Sequence, residues 1–195
     1  MNIDFQLEHA LNRYAGHHEL LDRIAVRVAE SQVEVAAVVF VALALGLVLR
    51  RRRIVAGTTI ALVAAAVALA GNVVIPTIWA RQRPFVAHPH TVRLLTHHPP
   101  DAGFPSDHAA ALAAIAVALL FFVRWLGAVT AVWALLVGVA RVYVGEHYPA
   151  DVVAGYLLGA LAAAAVVLAL RRLADASAVT RLPRVARDTL ALARR

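Results

Sequence analysis

The chain has no cysteine and no lysine among its 195 residues, a single methionine, and charged side chains at only 16% of positions. Without cysteine there is no disulfide, no thiolate nucleophile and no thiolate metal site, and the redox state of the compartment leaves no mark. Without lysine, arginine supplies every one of the 19 basic residues; together with the dominance of Ala and Val this reads as the codon bias of a GC-rich genome and carries no mechanism. There is no Gly-Lys loop to cradle phosphates and no carboxylate cluster of the kind that holds Mg²⁺. An internal repeat and a soluble domain are also missing. What fills the chain is apolar: 62% of residues are hydrophobic and the mean hydropathy is +0.73, far above an average globular domain. This is the composition of an integral membrane protein. The net charge of +7 reflects membrane orientation and not nucleic acid, because the arginines fall between apolar runs.

Those runs are Val33–Leu49, Ile54–Ala80, Ala109–Val123, Leu126–Val144 and Val152–Leu170. Each approaches the ~20 residues that a spanning helix requires, which predicts an all-α integral membrane bundle of five transmembrane helices within residues 31–172. The third run is the shortest; extended back to Ser106 it gains an N-cap, with Pro105 just outside. Connections after the first, third and fourth runs are short, so those helices are expected as antiparallel neighbours. The segment from Arg81 to Pro105, with five prolines and four histidines, is too long to be idle. Residues 1–30 place Leu7, Leu11 and Tyr14, then Leu20, Ile24 and Val28, at helical spacing, interrupted at Gly16-His17-His18. They are expected to form interfacial amphipathic helices, and lack the basic start and continuous apolar core of a cleavable signal. Residues 173–195 form a basic tail with Leu182, Val185 and Leu190 among arginines. It either lies on an anionic inner leaflet or is solvated and fixes topology. Twelve arginines share the side of Arg50 to Arg53, Arg124 and the tail, against seven on the other. If the twelve are cytoplasmic, the long connection, the Arg141 end of the fourth run and the His147–Asp151 turn all face outward.

Charge at the mouths of apolar helices is costly and signals a site. His147 and Asp151 lie four residues apart, one helical turn, with Pro149 suited to the first turn between them. A carboxylate at that spacing can accept the proton of one imidazole nitrogen and leave the other as nucleophile or base; an ordinary helix start with an interfacial histidine is the plain alternative. His108 follows Ser106 by two residues at a helix start, where open N–H groups favour anions. Arg83 and Arg141 arrive at the same face from different helices, and guanidinium forks match phosphate oxygens. Each alone would more often be a snorkelling residue, except that Arg141 is still inside its apolar run and calls for a buried anion. Gly155, Gly159 and Ala163 would let the fifth helix pack closely within the bundle, with dimerisation a secondary reading. His88, His90, His97, His98 and Asp101 are the candidates for a divalent ion, but scattered loop histidines are more often solvated, and no metal or cofactor is expected.

Arg83-Pro84-Phe85-Val86, Phe104-Pro105-Ser106-Asp107-His108, and Arg141 followed by Gly145-Glu146-His147-Tyr148-Pro149-Ala150-Asp151-Val152 resemble the three motifs of the type 2 phosphatidic acid phosphatase (PAP2) superfamily, which also contains vanadium haloperoxidases. Within it the likeness is closest to the bacterial undecaprenyl-diphosphatases, whose Asn in the second span is matched by Asn72 and whose Ser-Asp-His is matched through Asp107. The resemblance covers roughly residues 1–170. Pro76 stands where the superfamily has a motif lysine, Asp107 where it has glycine and Ala140 where it has serine; Arg81 lies near enough in sequence to replace the lysine's charge. The resemblance implies a PAP2-like helical bundle that hydrolyses a lipid diphosphate through a phosphohistidine. His147 would be the nucleophile, Asp151 would hold its ring, and His108 would serve as acid and then base. Arg83, Arg141, Ser106 and Arg81 would bind phosphate, with Asn72 and Asp107 in support. The implied substrate is undecaprenyl or another polyprenyl diphosphate, on the outer face of a bacterial plasma membrane, in recycling of the cell-wall lipid carrier. No nucleic-acid partner is implied and a homodimer is open. The same chemistry on phosphatidate, phosphatidylglycerol phosphate or another prenyl phosphate is the first alternative. A non-catalytic lipid-phosphate transporter or scaffold is the second, and His108, His147 and Asp151 count against it.

Overall fold

The computed structural model describes residues 2–175; the tail residues Leu182, Val185 and Leu190, with the arginines from Arg181 onward, lie outside the described residues. Eight helices occur among the described residues: α1 (Ile3–Asn12), α2 (Glu19–Ala29), α3 (Gln32–Val48), α4 (Arg52–Ile78), α5 (Pro84–Ala87), α6 (Asp107–Phe122), α7 (Arg124–Tyr143) and α8 (Pro149–Asp175). Gln82 and Ala102 pair as an isolated antiparallel bridge. The protein is all-α, as its apolar periodicity predicts.

Helix α6 is the hub. It packs on α4, α7 and α8, and its alanines Ala109, Ala110, Ala114 and Ala118 are almost wholly buried. Small side chains let helix axes approach closely where lipid supplies no hydrophobic drive. The glycines of α8 serve that approach: a Cβ on Gly159 would run into the carbonyl of Ala110, and one on Gly155 into the carbonyl of Ser106. Ala163 continues the stripe and is fully buried. The Gly-xxx-Gly pattern therefore packs α8 onto α6 inside the bundle. Outward positions such as Val73, Val132, Leu157 and Leu161 remain exposed, as a lipid-facing surface requires.

The five apolar runs become helices of different kinds, and among the described residues three, or four with one bent pair, are long and apolar enough to cross a membrane, short of the expected five. Helices α4 and α7 and the Pro149–Leu173 part of α8 are each long and apolar enough to cross a bilayer. Helices α2 and α3 meet the same test only jointly, as a pair bent by 48°. Helix α6 has 16 residues, about 24 Å, short of the ~30 Å hydrocarbon core; enclosed on three sides, it need not match the membrane by itself.

The two expected N-terminal helices form and break at Gly16, which adopts φ +78. Helix α2 lies along the bundle, burying Ala25 and Ala29 against Ala140, Tyr143 and Val144. Helix α1 reaches from the last turn of α7, where Asn12 meets Tyr143, to the first turn of α8, where Asp4 meets Ala150. The connection between α4 and α6 is tied to the same end of the bundle: the Leu95 N–H donates to the Val144 carbonyl at 3.1 Å and the Gly103 N–H to the Arg81 carbonyl at 2.8 Å.

Candidate active site

The three motifs meet at one end of the bundle. Gly145, at φ +86, turns the chain between α7 and α8 and places His147 beneath the connection, fully buried. The His147 Nδ1 lies 3.0 Å from the Gly103 carbonyl. A carbonyl only accepts, so Nδ1 carries the hydrogen and Nε2 keeps its lone pair. That Nε2 sits 3.1 Å from Arg83 Nη1 and 3.3 Å from Arg141 Nη2. Burial first, and then the charges of Arg141 and Arg83, hold the imidazole well below its usual pKa, so the ring is neutral at pH 7 with its free nitrogen aimed between two guanidiniums.

Asp151 is not the acceptor expected from its spacing. Its Oδ2 is 3.8 Å from His147 Nδ1, beyond hydrogen-bond reach, because Oδ2 accepts the Tyr148 N–H at 2.9 Å and Oδ1 takes Arg81 Nη1 at 2.7 Å. The Asp151 carbonyl accepts the Ser106 N–H at 3.0 Å, which joins the start of α6 to the start of α8.

Both arginines are buried and each has a carboxylate. Arg83 donates from Nε to Asp101 at 2.7 Å, and Arg141 pairs with Glu146 at 2.6 Å. Glu146 also accepts a short hydrogen bond from the Thr96 hydroxyl. Ser106 stands at the N-cap of α6, as its position predicts, but its hydroxyl makes no capping bond and is buried without a partner. His108, in the first turn of α6, holds Nδ1 2.7 Å from Asp107 Oδ1, so Asp107 orients it. The charges of Asp107 and His108 are both felt at His147.

Two expected participants stand elsewhere. Arg81 gives Nη1 to Asp151 and Nη2 to Asp4 at 2.6 Å, and its guanidinium covers the Tyr148 ring at 4.0 Å. It bridges carboxylates instead of standing free in place of the motif lysine. Asn72 makes no hydrogen bond into the cluster; its Oδ1 is buried and unpartnered on α4, one turn before Pro76. Among the described residues no group of three or more His, Cys, Asp or Glu side chains is arranged to hold a metal. Asp101 is committed to Arg83, and His88 lies against Phe5 with ring centres 3.9 Å apart and planes tilted by 33°.

Gly103, Glu146 and Thr96 are the participants that motif reasoning missed, and Asp101, weighed there only as a metal ligand, pairs with Arg83. Glu146 had a readable signal, since an acid beside a buried arginine at the end of an apolar run invites the same question as the arginine. Gly103 had none, because it acts through its backbone.

The PAP2 superfamily sequence model matches residues 56–175, which hold all of these side chains except Asp4 and Phe5. The chain belongs to the PAP2 superfamily. It is 34% identical to the undecaprenyl-diphosphatase BcrC of Bacillus subtilis (strain 168), over 85% of this chain and 80% of that protein. Its fold is similar to the crystal structure of Aquifex aeolicus LpxE, with TM-score 0.70 and 23% identity over 86% of this chain and 96% of the other. It is also similar to a transmembrane PAP2-type phosphatidylglycerolphosphate phosphatase from Bacillus subtilis, with TM-score 0.61 and 21% identity over 85% of each chain. This PAP2 protein is a multi-pass membrane lipid phosphatase.

Proposed function

We propose that this PAP2 phosphatase removes the terminal phosphate of a polyprenyl diphosphate of the undecaprenyl class, leaving the lipid monophosphate and so recycling a cell-wall lipid carrier. The observation that carries the reading is the His147 ring, with Nδ1 on the Gly103 carbonyl and Nε2 between Arg83 and Arg141. The diphosphate substrate is supported by the likeness to BcrC over most of both chains. The arginine distribution supports a site opening to the outer face of a bacterial plasma membrane. Residues 31–172 form the catalytic bundle in this reading, with residues 1–30 as a preceding amphipathic segment and 173–195 as a cytoplasmic tail.

His147 Nε2 attacks the terminal phosphorus; an N–P bond forms and the anhydride P–O bond breaks. The leaving lipid monophosphate takes a proton from His108, whose ring is turned by Asp107. The phosphorylated ring, with hydrogen on Nδ1 and phosphorus on Nε2, is cationic, and the Asp151 carboxylate 3.8 Å away stabilises it. Water then loses a proton to His108 and attacks phosphorus, the N–P bond breaks, and inorganic phosphate departs. Arg83, Arg141 and the unpartnered Ser106 hydroxyl bind the equatorial oxygens as charge builds. No step calls for a metal.

Phosphate release by the detergent-solubilised protein tests this. Undecaprenyl diphosphate is expected to turn over faster than phosphatidate or diacylglycerol pyrophosphate, and His147→Ala is expected to abolish release while the protein still accumulates. Full activity in that variant removes the nucleophile, and a preference for phosphatidate removes the substrate.

A further inference from the structure

Helix α1 presents its polar side to the protein. Asp4, Glu8 and Asn12, spaced one turn apart, point inward; Glu8 and Asn12 are fully buried, while Ile3, Leu7, Leu11 and Tyr14 are exposed. Asn12 and Asp4 meet the two ends of the turn that carries His147. The Asn12 amide donates to the Tyr143 and Arg93 carbonyls, both at 2.8 Å, and accepts the Arg93 N–H at 2.8 Å. At the opposite end of α1, Asp4 Oδ1 accepts the Ala150 N–H at 2.9 Å. That N–H belongs to the first turn of α8, where no intrahelical acceptor exists, so α1 caps α8 with a side chain from another helix. Asp4 Oδ2 takes Arg81 Nη2 at 2.6 Å, and Arg81 Nη1 continues to Asp151 Oδ1 at 2.7 Å.

We propose that Asp4 is a positioning residue for the phosphatase reaction, acting through Arg81 and the first turn of α8 to hold Asp151 in place behind His147 and to keep Arg81 from cancelling its charge. This rests on the assignment of His147 as nucleophile. Arg81 between two carboxylates leaves the trio with one net negative charge beside a ring that otherwise faces two guanidiniums. Without the Asp4 charge the trio becomes neutral, and both Nη atoms of Arg81 are free to close on Asp151. The anion that stabilises the ring as Nε2 takes up phosphorus is then cancelled. The other groups felt at the ring, Arg83 at the start of α5, Arg141 from α7 and Asp107 and His108 from α6, are untouched by substitution at residue 4. Asp151 from α8 is affected chiefly through Arg81 and the capped first turn of α8.

The test compares wild type with Asp4→Asn, Asp4→Ser, Asp4→Glu, Arg81→Gln and the Asp4→Asn/Arg81→Gln double variant, with undecaprenyl diphosphate in detergent. Loss of one charge at this range is expected to lower kcat about tenfold and to move the acid limb of kcat/KM down by about half to one pH unit, with KM changed less than about twofold. Asp4→Ser, which keeps an acceptor for the Ala150 N–H but not the charge, shows the same shift; Asp4→Glu recovers most of kcat. In the Arg81→Gln background Asp4→Asn costs nothing further. A full kcat and an unmoved acid limb in Asp4→Asn and Asp4→Ser overturn the proposal, whatever happens to thermal stability. A second readout needs no substrate: in the ¹⁵N-histidine NMR titration, the His147 midpoint falls in Asp4→Asn, and an unchanged midpoint overturns the proposal. If wild type releases no phosphate from undecaprenyl diphosphate, the substrate assignment fails alone, and the NMR titration still decides the role of Asp4.

Discussion

Glu8 is an uncomfortable group, and its discomfort is measurable. Its side chain is fully buried under α1, and neither carboxylate oxygen has a hydrogen-bond partner. Burial raises its pKa from 4.5 to about 7. That displacement corresponds to about 3 kcal/mol between docked and undocked α1. The sign follows from proton counting. Docked α1 keeps Glu8 protonated up to about pH 7, whereas undocked α1 releases the proton near 4.5. Docking is therefore strongest below pH 4.5, weakens as pH rises from there through 7, and is flat above. Glu8→Gln removes the titration. Its amide hydrogens inherit the same partnerless site and cost about 1–3 kcal/mol, equally at every pH, so the quantity to follow is a slope and not a level. Hydrogen exchange of the α1 amides, wild type against Glu8→Gln at matched pH, cancels the intrinsic exchange rate and reads local opening. Between pH 5 and 8 the wild-type protection should fall relative to the variant by a factor on the order of 100. Glu8→Met, with no polar atom to bury, should show the same pH-independent behaviour as Glu8→Gln. A ratio that stays constant from pH 5 to 8 in both comparisons would show that Glu8 is not protonated beneath α1, and the reasoning from burial would be wrong.

Glu146→Gln leaves the buried Arg141 without its anion, which should destabilise the fold by about 3 kcal/mol; in thermal unfolding in detergent, inorganic phosphate should raise the Tm of this variant more than that of wild type, and equal shifts would refute the pairing. Gly159→Val drives a side chain into the α6 backbone at Ala110, while a Cβ on Gly71 meets only the two Leu158 methyls, at 3.4 and 3.9 Å; size-exclusion chromatography should therefore find Gly159→Val aggregated and Gly71→Ala monodisperse.

What could be read in the chain, and what could not, divides along a physical line. Arg83, Arg141, His108, His147 and Asp151 were legible because ionisable groups near the ends of apolar helices need a reason. Small residues at four-residue spacing in α8 were legible as packing for the same kind of reason, and α6 buries them. The partners that set the chemistry were harder. The hydrogen on His147 Nδ1 is held by the Gly103 carbonyl, and every residue carries a carbonyl, so no residue type signals it. The spacing of His147 and Asp151 suggested a direct bond because one helical turn brings such side chains together. His147 lies ahead of α8, however, in the turn that Gly145 opens, and the Asp151 oxygens are satisfied by the Tyr148 N–H and Arg81.

The N-terminal segment is instructive in another way. Leu7, Leu11 and Tyr14 at helical spacing correctly mark one apolar face, and in a soluble protein that face would be the buried one. Here the surroundings of the bundle are themselves apolar, so the stripe stays outside and Asp4, Glu8 and Asn12 turn inward onto the polar end of the helices. Amphipathicity in a membrane protein identifies two faces but not which one touches the protein; that is decided by where open backbone donors and unpaired charges wait. In this chain they wait at Ala150, Arg93 and Arg81, around the turn that carries His147. An amphipathic helix that the sequence alone assigns to the lipid surface is thereby docked beside the site.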